Sequence, residues 1–290
     1  MKAQSSYILS LLFLLCGCSS EMAEETGKII EKSVPILINT PKQIDVETKA
    51  VINAFTSDNI SNIKIYRADN LYSDGLSPYS NNLNSNLEFN SPFVYPVDGS
   101  NVTIYSFYPS DIQDTDQSTA TNEIAFSISG QDDLMYASAP AGNKSNPIPV
   151  NLTFDHKLAQ IKFKLKSQIT DSLEPGSSVS IIATGPNAGI MDLTNGDLHI
   201  ASVATGTFTL PTGFTLNLLT NGETEVPGEL LLFPQSEYSF SLQIGDSYYP
   251  VTFDHQTLTT SWNESSIYTL TISINSLSNP KTTPVVKEDI

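Results

Sequence analysis

Cysteine is almost absent from this 290-residue chain: Cys16 and Cys18 are the only two. Nothing downstream can pair with either, so there is no disulfide framework and stability must come from apolar cores. Arginine is scarcer still, represented by Arg67 alone. Against 14 basic residues stand 31 acidic ones, for a net charge of −17. Binding nucleic acid by charge needs Lys and Arg clustered on one face, which this chain cannot supply, so nucleic-acid partners are excluded. Charged residues make up only 16% of the chain, and Ser, Thr and Asn fill the difference. That is the composition of an extracellular β protein rather than a cytosolic helical one. Long apolar runs are missing too. The stretch from Tyr7 to Cys16, broken by Ser10, is about half the ~20 residues that a helix needs to cross a bilayer.

What that short run does have is a context. Lys2 precedes it and "LLCGCSS" (14–20) follows it, the layout of a secretory signal. Leu15-Cys16-Gly17-Cys18 resembles the lipobox of bacterial lipoproteins, whose final Cys is lipidated and becomes the first mature residue. On this reading residues 1–17 are a lipoprotein signal peptide, Cys16 leaves with it, and Cys18 carries a diacylglycerol thioether. Each buried methylene contributes ~0.8 kcal/mol and stable attachment needs more than one acyl chain, which a lipidated Cys provides. The expected location is the outer membrane, held by lipid on Cys18, with the body at the cell surface. The acidic body is repelled by anionic lipid and stands off the bilayer.

Residues 18–34 form a polar tether or pro-segment with Glu21, Glu24 and Glu25 near its start. The cluster reads equally as a flexible spacer or as something resembling the surface-export signal of Bacteroidetes lipoproteins. From Pro35 the periodicity is two. "TIYSFYP" (103–109), "LMYASA" (134–139), "IKFKLK" (161–166) and "SIYTLTISI" (266–274) read as strands. Asn195-Gly196 predicts a two-residue hairpin turn, and Asn221-Gly222 a similar one. Pro147 and Pro149 mark an interior boundary, giving β-sandwich domains at 35–149 and 150–275. Residues 276–290, with Pro280 and Pro284, read as a mobile polar tail.

Several segments, in order, resemble the Bacteroidales fimbrillins, or type V pilins: "VETKAVINAF" (46–55), "YPVDGSNVTIYSFYPS" (95–110), "QDDLMYA" (131–137), "LTFDHKLAQIKFKLK" (152–166), "LLLFPQ" (230–235) and "WNESSIYTLTISI" (262–274). The resemblance implies an all-β fold of two tandem transthyretin-like sandwiches. Independently of it, the scarcity of His and the lack of metal-ligand clusters and nucleophile motifs lead us to expect no enzymatic activity and no cofactor. The resemblance also implies export as a lipoprotein, removal of an N-terminal segment by a trypsin-like protease, and assembly with other pilin subunits by strand exchange. Maturation in the family falls after Arg; the aligned position here is Lys49. Arg67 lies in the strand-like "NIKIYRADN", where a protease reaches poorly. The short proline-bearing tail is also unlike a donated shaft strand, since proline cannot donate ladder hydrogen bonds. Both departures point to a tip or accessory subunit of the fimbrium. The alternative is a surface lipoprotein that does not polymerise and binds host glycan or protein.

Catalytic and metal chemistry is not expected. The histidines are His156, His199 and His255, and "TFDH" occurs at 153–156 and 252–255. Neighbouring residues on a strand face opposite ways, so one Asp-His pair cannot serve a single site, and His156 reads as structural. No nucleophile elbow or zinc helix motif occurs. Asp114 and Asp116 have a calcium-like spacing without the central Gly or late Glu of a closed loop. Lys157, Lys162, Lys164 and Lys166 suggest either a solvated sheet face or a docking strip for an acidic neighbour. The Asn- and Ser-rich loop 73–91, with Tyr72 and Tyr79, has the residue types that bind sugars.

Overall fold

A computed structural model describes residues 33–41, 55, 60–68, 75–78, 80–81, 86–113, 122–167, 178–200, 204–210, 214–215, 223–253, 262–274 and 281–289. Within them the only helical turns are short 3-10 segments; the rest of the regular structure is strand. The first eight strands are β1 (Lys64–Arg67), β2 (Ser80–Asn81), β3 (Leu87–Glu88), β4 (Val102–Tyr108), β5 (Glu123–Ser127), β6 (Met135–Asn143), β7 (Asn146–Pro147) and β8 (Asp155–His156). There follow β9 (Ala159–Ser167), β10 (Ser178–Pro186), β11 (Ala188–Asp192), β12 (Leu198–Ile200), β13 (Thr205–Thr209) and β14 (Phe214–Thr215). The last six are β15 (Glu223–Glu225), β16 (Leu230–Leu232), β17 (Ser239–Ile244), β18 (Ser247–Phe253), β19 (Ser266–Ile274) and β20 (Lys281–Asp289).

The alternation seen in the sequence is the cause of this. In β19, Tyr268, Leu270, Ile272 and Ile274 are buried while Thr269, Thr271 and Ser273 are half-buried. Only an extended chain with one face in a core separates residues in this way. The all-β expectation holds throughout the described residues.

Strands β1, β4, β6 and β7 form one sheet in that order, with β8 beside β6. Both of its faces carry core residues. Ile65, Ile104 and Met135 enter a smaller core with Ile36, Ile38 and Phe154. Tyr66, Phe107 and Tyr136, of opposite parity, enter a larger one. Val150, Leu152 and Phe154 belong to the smaller core, whereas Ile124, Phe126, Ile128 and Leu134, earlier in the chain, already belong to the larger one. Ser33–Ile290 is a single compact unit.

The larger core lies between two layers. One layer is β13-β10-β17-β18, and the other is β20-β19-β9 with β15 and β16 paired to β9. The Phe163 and Phe240 rings, one from each layer, meet edge to face at 5.7 Å. Strands β9 and β19 run parallel in unbroken register from Gln160↔Ile267 to Ser167↔Ile274.

Two expectations need correction. The tail is not a free appendage: β20 lies between β18 and β19, parallel to the first and antiparallel to the second. Its pairing shifts where Thr269 faces Val286 and Thr271 faces Thr283. Pro284 and Val285 therefore sit opposite Leu270 alone, in a bulge, one of the few places where a sheet accepts proline. The hairpin at Asn195-Gly196 exists between β11 and β12 but is not a two-residue turn; it spans residues 193–197. Gly196 alone has a positive φ, +77°. Tertiary contact sets this length: the Tyr136 hydroxyl donates to the Leu193 carbonyl at 2.8 Å and holds that residue inward. A Cβ on Gly196 would lie 2.4 Å from the Tyr136 ring. Asn221 and Gly222 lie outside the described residues.

Candidate functional site

The segment 33–41 is threaded into the smaller core ahead of every named strand. Ile36 and Ile38 are buried there, and Val34 and Leu37 point out. Its backbone is bonded on two sides. On one, Ile36 N–H donates to the Phe93 carbonyl at 2.8 Å, Tyr95 N–H to Val34 at 3.0 Å and Leu87 N–H to Ile38 at 2.7 Å. On the other, Asn39 N–H donates to the Val150 carbonyl and Val150 N–H to Leu37, both at 2.9 Å. The segment thus closes a slot whose walls are 86–95 and 148–151. Burying two isoleucines contributes ~1.5–3 kcal/mol each, and the slot cannot be emptied without exposing both side chains and five backbone partners.

Outside the slot, Val34, Leu37, Tyr95, Ile148 and Pro149 line an apolar recess of about 300 Å³. The Tyr95 hydroxyl donates to the Ala141 carbonyl at 2.6 Å, and burial pushes this phenol up from its ordinary value. Arg67 ends β1, and its guanidinium donates to the Val94 carbonyl, inside the slot's wall. That bond and its strand pairing keep the Arg67 main chain from the unpaired, accessible form a protease needs.

The lysine row of β9 turns out to be answered within the chain. Strand β15 runs antiparallel to β9 with Glu223 opposite Lys166 and Glu225 opposite Lys164. The ammonium–carboxylate distances are 3.8 Å for Lys166–Glu223, 3.7 Å for Lys164–Glu225 and 3.9 Å for Lys162–Glu229. Lys157 is buried and reaches Glu264 at 2.5 Å. The acidic neighbour is intramolecular.

His156 has a structural place. Its Nδ1 lies 2.7 Å from the carboxylate of buried Asp133, while the adjacent Asp155 faces solvent. The Ser265 hydroxyl donates to the His156 carbonyl at 2.6 Å, tying β8 to the start of β19. His199 is exposed on β12. Asp192 gathers the Thr194 hydroxyl and amide and the Asn122 side chain; those bonds, Thr194's first, hold its carboxyl below the usual range. Among the described residues, no three His, Cys, Asp or Glu side chains are grouped to hold a metal.

Cys18 and Lys49 lie outside the described residues, as do Tyr72, Tyr79, Asp114, Asp116 and His255. The slot-filling segment was not singled out from sequence. Its signal, the apolar run "VPILI" (34–38), has no alternation because both of its faces meet apolar surroundings.

A family model described as fimbrillin-like matches residues 45–288. Among solved structures, a candidate cell adhesion protein of Bacteroides uniformis superposes with a TM-score of 0.56 at 18% identity, covering 90% of this chain and 98% of that one. A second such protein, from Bacteroides ovatus, gives 0.55 at 16% identity, with 89% and 98% covered. The fimbrial anchor protein Mfa2 of Porphyromonas gingivalis gives 0.43 at 11% identity, with 89% and 98% covered. No curated protein matches the sequence. The chain belongs to the fimbrillin-like family, whose members are structural fimbrial subunits of the cell surface rather than enzymes.

Proposed function

We propose that this chain is a tip or accessory subunit of a fimbrium, exported as a lipoprotein through Cys18 and joined to other subunits by β-strand exchange. In this reading the body is two tandem transthyretin-like sandwiches, 35–149 and 150–275. The observation that carries it is the segment 33–41. It lies upstream of Lys49, fills a slot in the smaller core, and is held by hydrogen bonds that an incoming strand could replace. A cut after Lys49 would turn this segment from a tethered strand into a separate peptide. Its departure would leave Phe93, Tyr95, Leu87 and Val150 with free backbone groups for a neighbour's strand.

The tip or accessory role draws support from both ends of the chain. Lysine stands where the family carries arginine, and Arg67 is bonded into the slot wall. Strand β20 is paired on both sides within its own chain. A terminal strand used at home is a poor candidate for donation.

Mass spectrometry of the N-terminus, on protein taken from the native surface, tests this directly. An acylated Cys18 in material bound to fimbriae in small proportion to the shaft fits an accessory subunit that keeps its first segment. A start at Ala50, with a ladder of polymers on gentle electrophoresis, fits strand exchange after cleavage. An unacylated Cys18 in a chain that never co-purifies with fimbriae would sink the proposal. The second reading is a non-polymerising adhesin that binds host glycan or protein, favoured by a first segment already seated in its slot. A monomer that binds such a ligand and forms no ladder would support it.

A further inference from the structure

The layer made by β13, β10, β17 and β18 turns one face to the larger core and the other to solvent. Strand register sets the solvent face in rows. Tyr248, Gln243 and Ser180 form the first. Pro250, Ser241, Ile182 and Thr209 form the second. Ser239, Thr184 and Thr207 form the third, and Pro186 with Thr205 the last. Each of these residues is exposed or half-buried. None is charged, in a chain with 31 acidic and 14 basic residues. All but Ile182, Pro186 and Pro250 carry a hydroxyl or an amide. Among the described residues, charge borders the face at its two ends, at Asp246 beyond the first row and at exposed Glu237 just before β17.

This chemistry is selective by what it omits. A protein partner needs an apolar, often aromatic, interface core, and here the single large aliphatic side chain is half-buried Ile182. A membrane needs a wider apolar face, an anion needs cations, and a cation needs carboxylates. What remains is a ligand that is itself neutral and rich in hydroxyls. Serine, threonine and glutamine offer such a ligand both donors and acceptors. Tyr248, 62% exposed, and Pro250 beside it offer ring faces for the C–H side of a sugar. The overall charge of −17 disfavours acidic polysaccharides at the same surface.

We propose that this outer face binds uncharged glycan chains, with a sugar ring on Tyr248 and hydroxyls bonded along the Gln243 and Ser241 rows. The site needs neither cleavage nor assembly, so it stands whether or not the fimbrial role does. The test is electrophoresis of the full chain in detergent through gels containing mannan, dextran or xyloglucan, with heparin as the anionic control. Retardation is expected in at least one neutral gel and absent in heparin. Tyr248→Ala weakens it about tenfold, the effect of one lost contact of ~1.4 kcal/mol. Ser241→Arg, which places a bulky charge at the centre, removes it. Both positions are outside the core, and an unchanged melting temperature confirms that each variant is folded. No retardation in any of the three neutral gels, or retardation that neither substitution alters, would overturn the proposal. So would a concentration-dependent dimer that Ser241→Arg disperses, since the face would then belong to a second copy of the chain.

Discussion

The two solvent faces around the larger core differ sharply in chemistry. On one, Lys162, Lys164 and Lys166 of β9 stand against Glu229, Glu225 and Glu223. On the other, across β13, β10, β17 and β18, no described side chain is charged. The same core supports both, since Phe163 lies under the lysine row and Phe240 under the neutral rows. The contrast teaches how a strongly acidic chain disposes of its few cations. The three of this row are matched within the chain, where they lower the repulsion among carboxylates. The uncharged face is therefore the one where a neutral ligand meets no charged side chain along the described strands.

The most severe way to break this contrast is to remove its common support. Phe163→Ala, at a position 1% exposed, should cost about 3–5 kcal/mol and lower the melting temperature of both layers together. Separate transitions for the two layers would show that they are not one cooperative unit. Next in size, Glu264→Ala should leave the buried Lys157 ammonium unpaired. The loss should be about 1–2 kcal/mol, reduced because Glu264 is half-exposed. Lys157→Met in the same background should recover much of it.

Tyr136→Phe should cost about 1 kcal/mol, because the buried Leu193 carbonyl loses its donor. It should also change the alkaline limb. Burial pushes the Tyr136 phenol up to about 12 from 10.0. The unfolded phenol thus loses its proton first as pH rises. The Tyr136 contribution to stability is full below pH 10 and is lost as pH climbs toward 12, so the alkaline fall should be less steep in the variant. The smallest effects should come from the charged face itself. Lys162→Gln, Lys164→Gln and Lys166→Gln should each change stability by no more than about 0.5 kcal/mol, vanishing in high salt. A larger, salt-insensitive loss would mean that the row acts through its aliphatic stems.

Strand positions were legible because alternation is a local property: β9 and β19 can be read from their own residues. What escaped depended on residues far away. The partner of the lysine row is the "ETE" of 223–225, and only the antiparallel register of β15 brings the two together. Strand β20 looked like a tail because Pro284 seemed to forbid a sheet, and the bulge opposite Leu270 that admits it is invisible without β19. Asn195-Gly196 correctly marked a hairpin, but its length answers to Tyr136 on another sheet. The filling of the slot by Ile36 and Ile38 was hidden because Leu37 between them is apolar as well. The order of the family segments was a local signal, which is why the family was recognisable before any geometry.

The Asn195 loop also bears on how this protein ages. Asparagine followed by glycine is the sequence most prone to spontaneous deamidation, because the glycine nitrogen can attack the asparagine side-chain carbon and close a succinimide. Here the Gly196 nitrogen is engaged, donating to the Asp192 carbonyl at 2.7 Å. The Asn195 amide is turned forward onto Asp197, with bonds of 2.7 Å and 2.9 Å. Both reactants are held away from the cyclic product, so this dipeptide should keep its amide far longer in the folded chain than in a peptide of the same sequence.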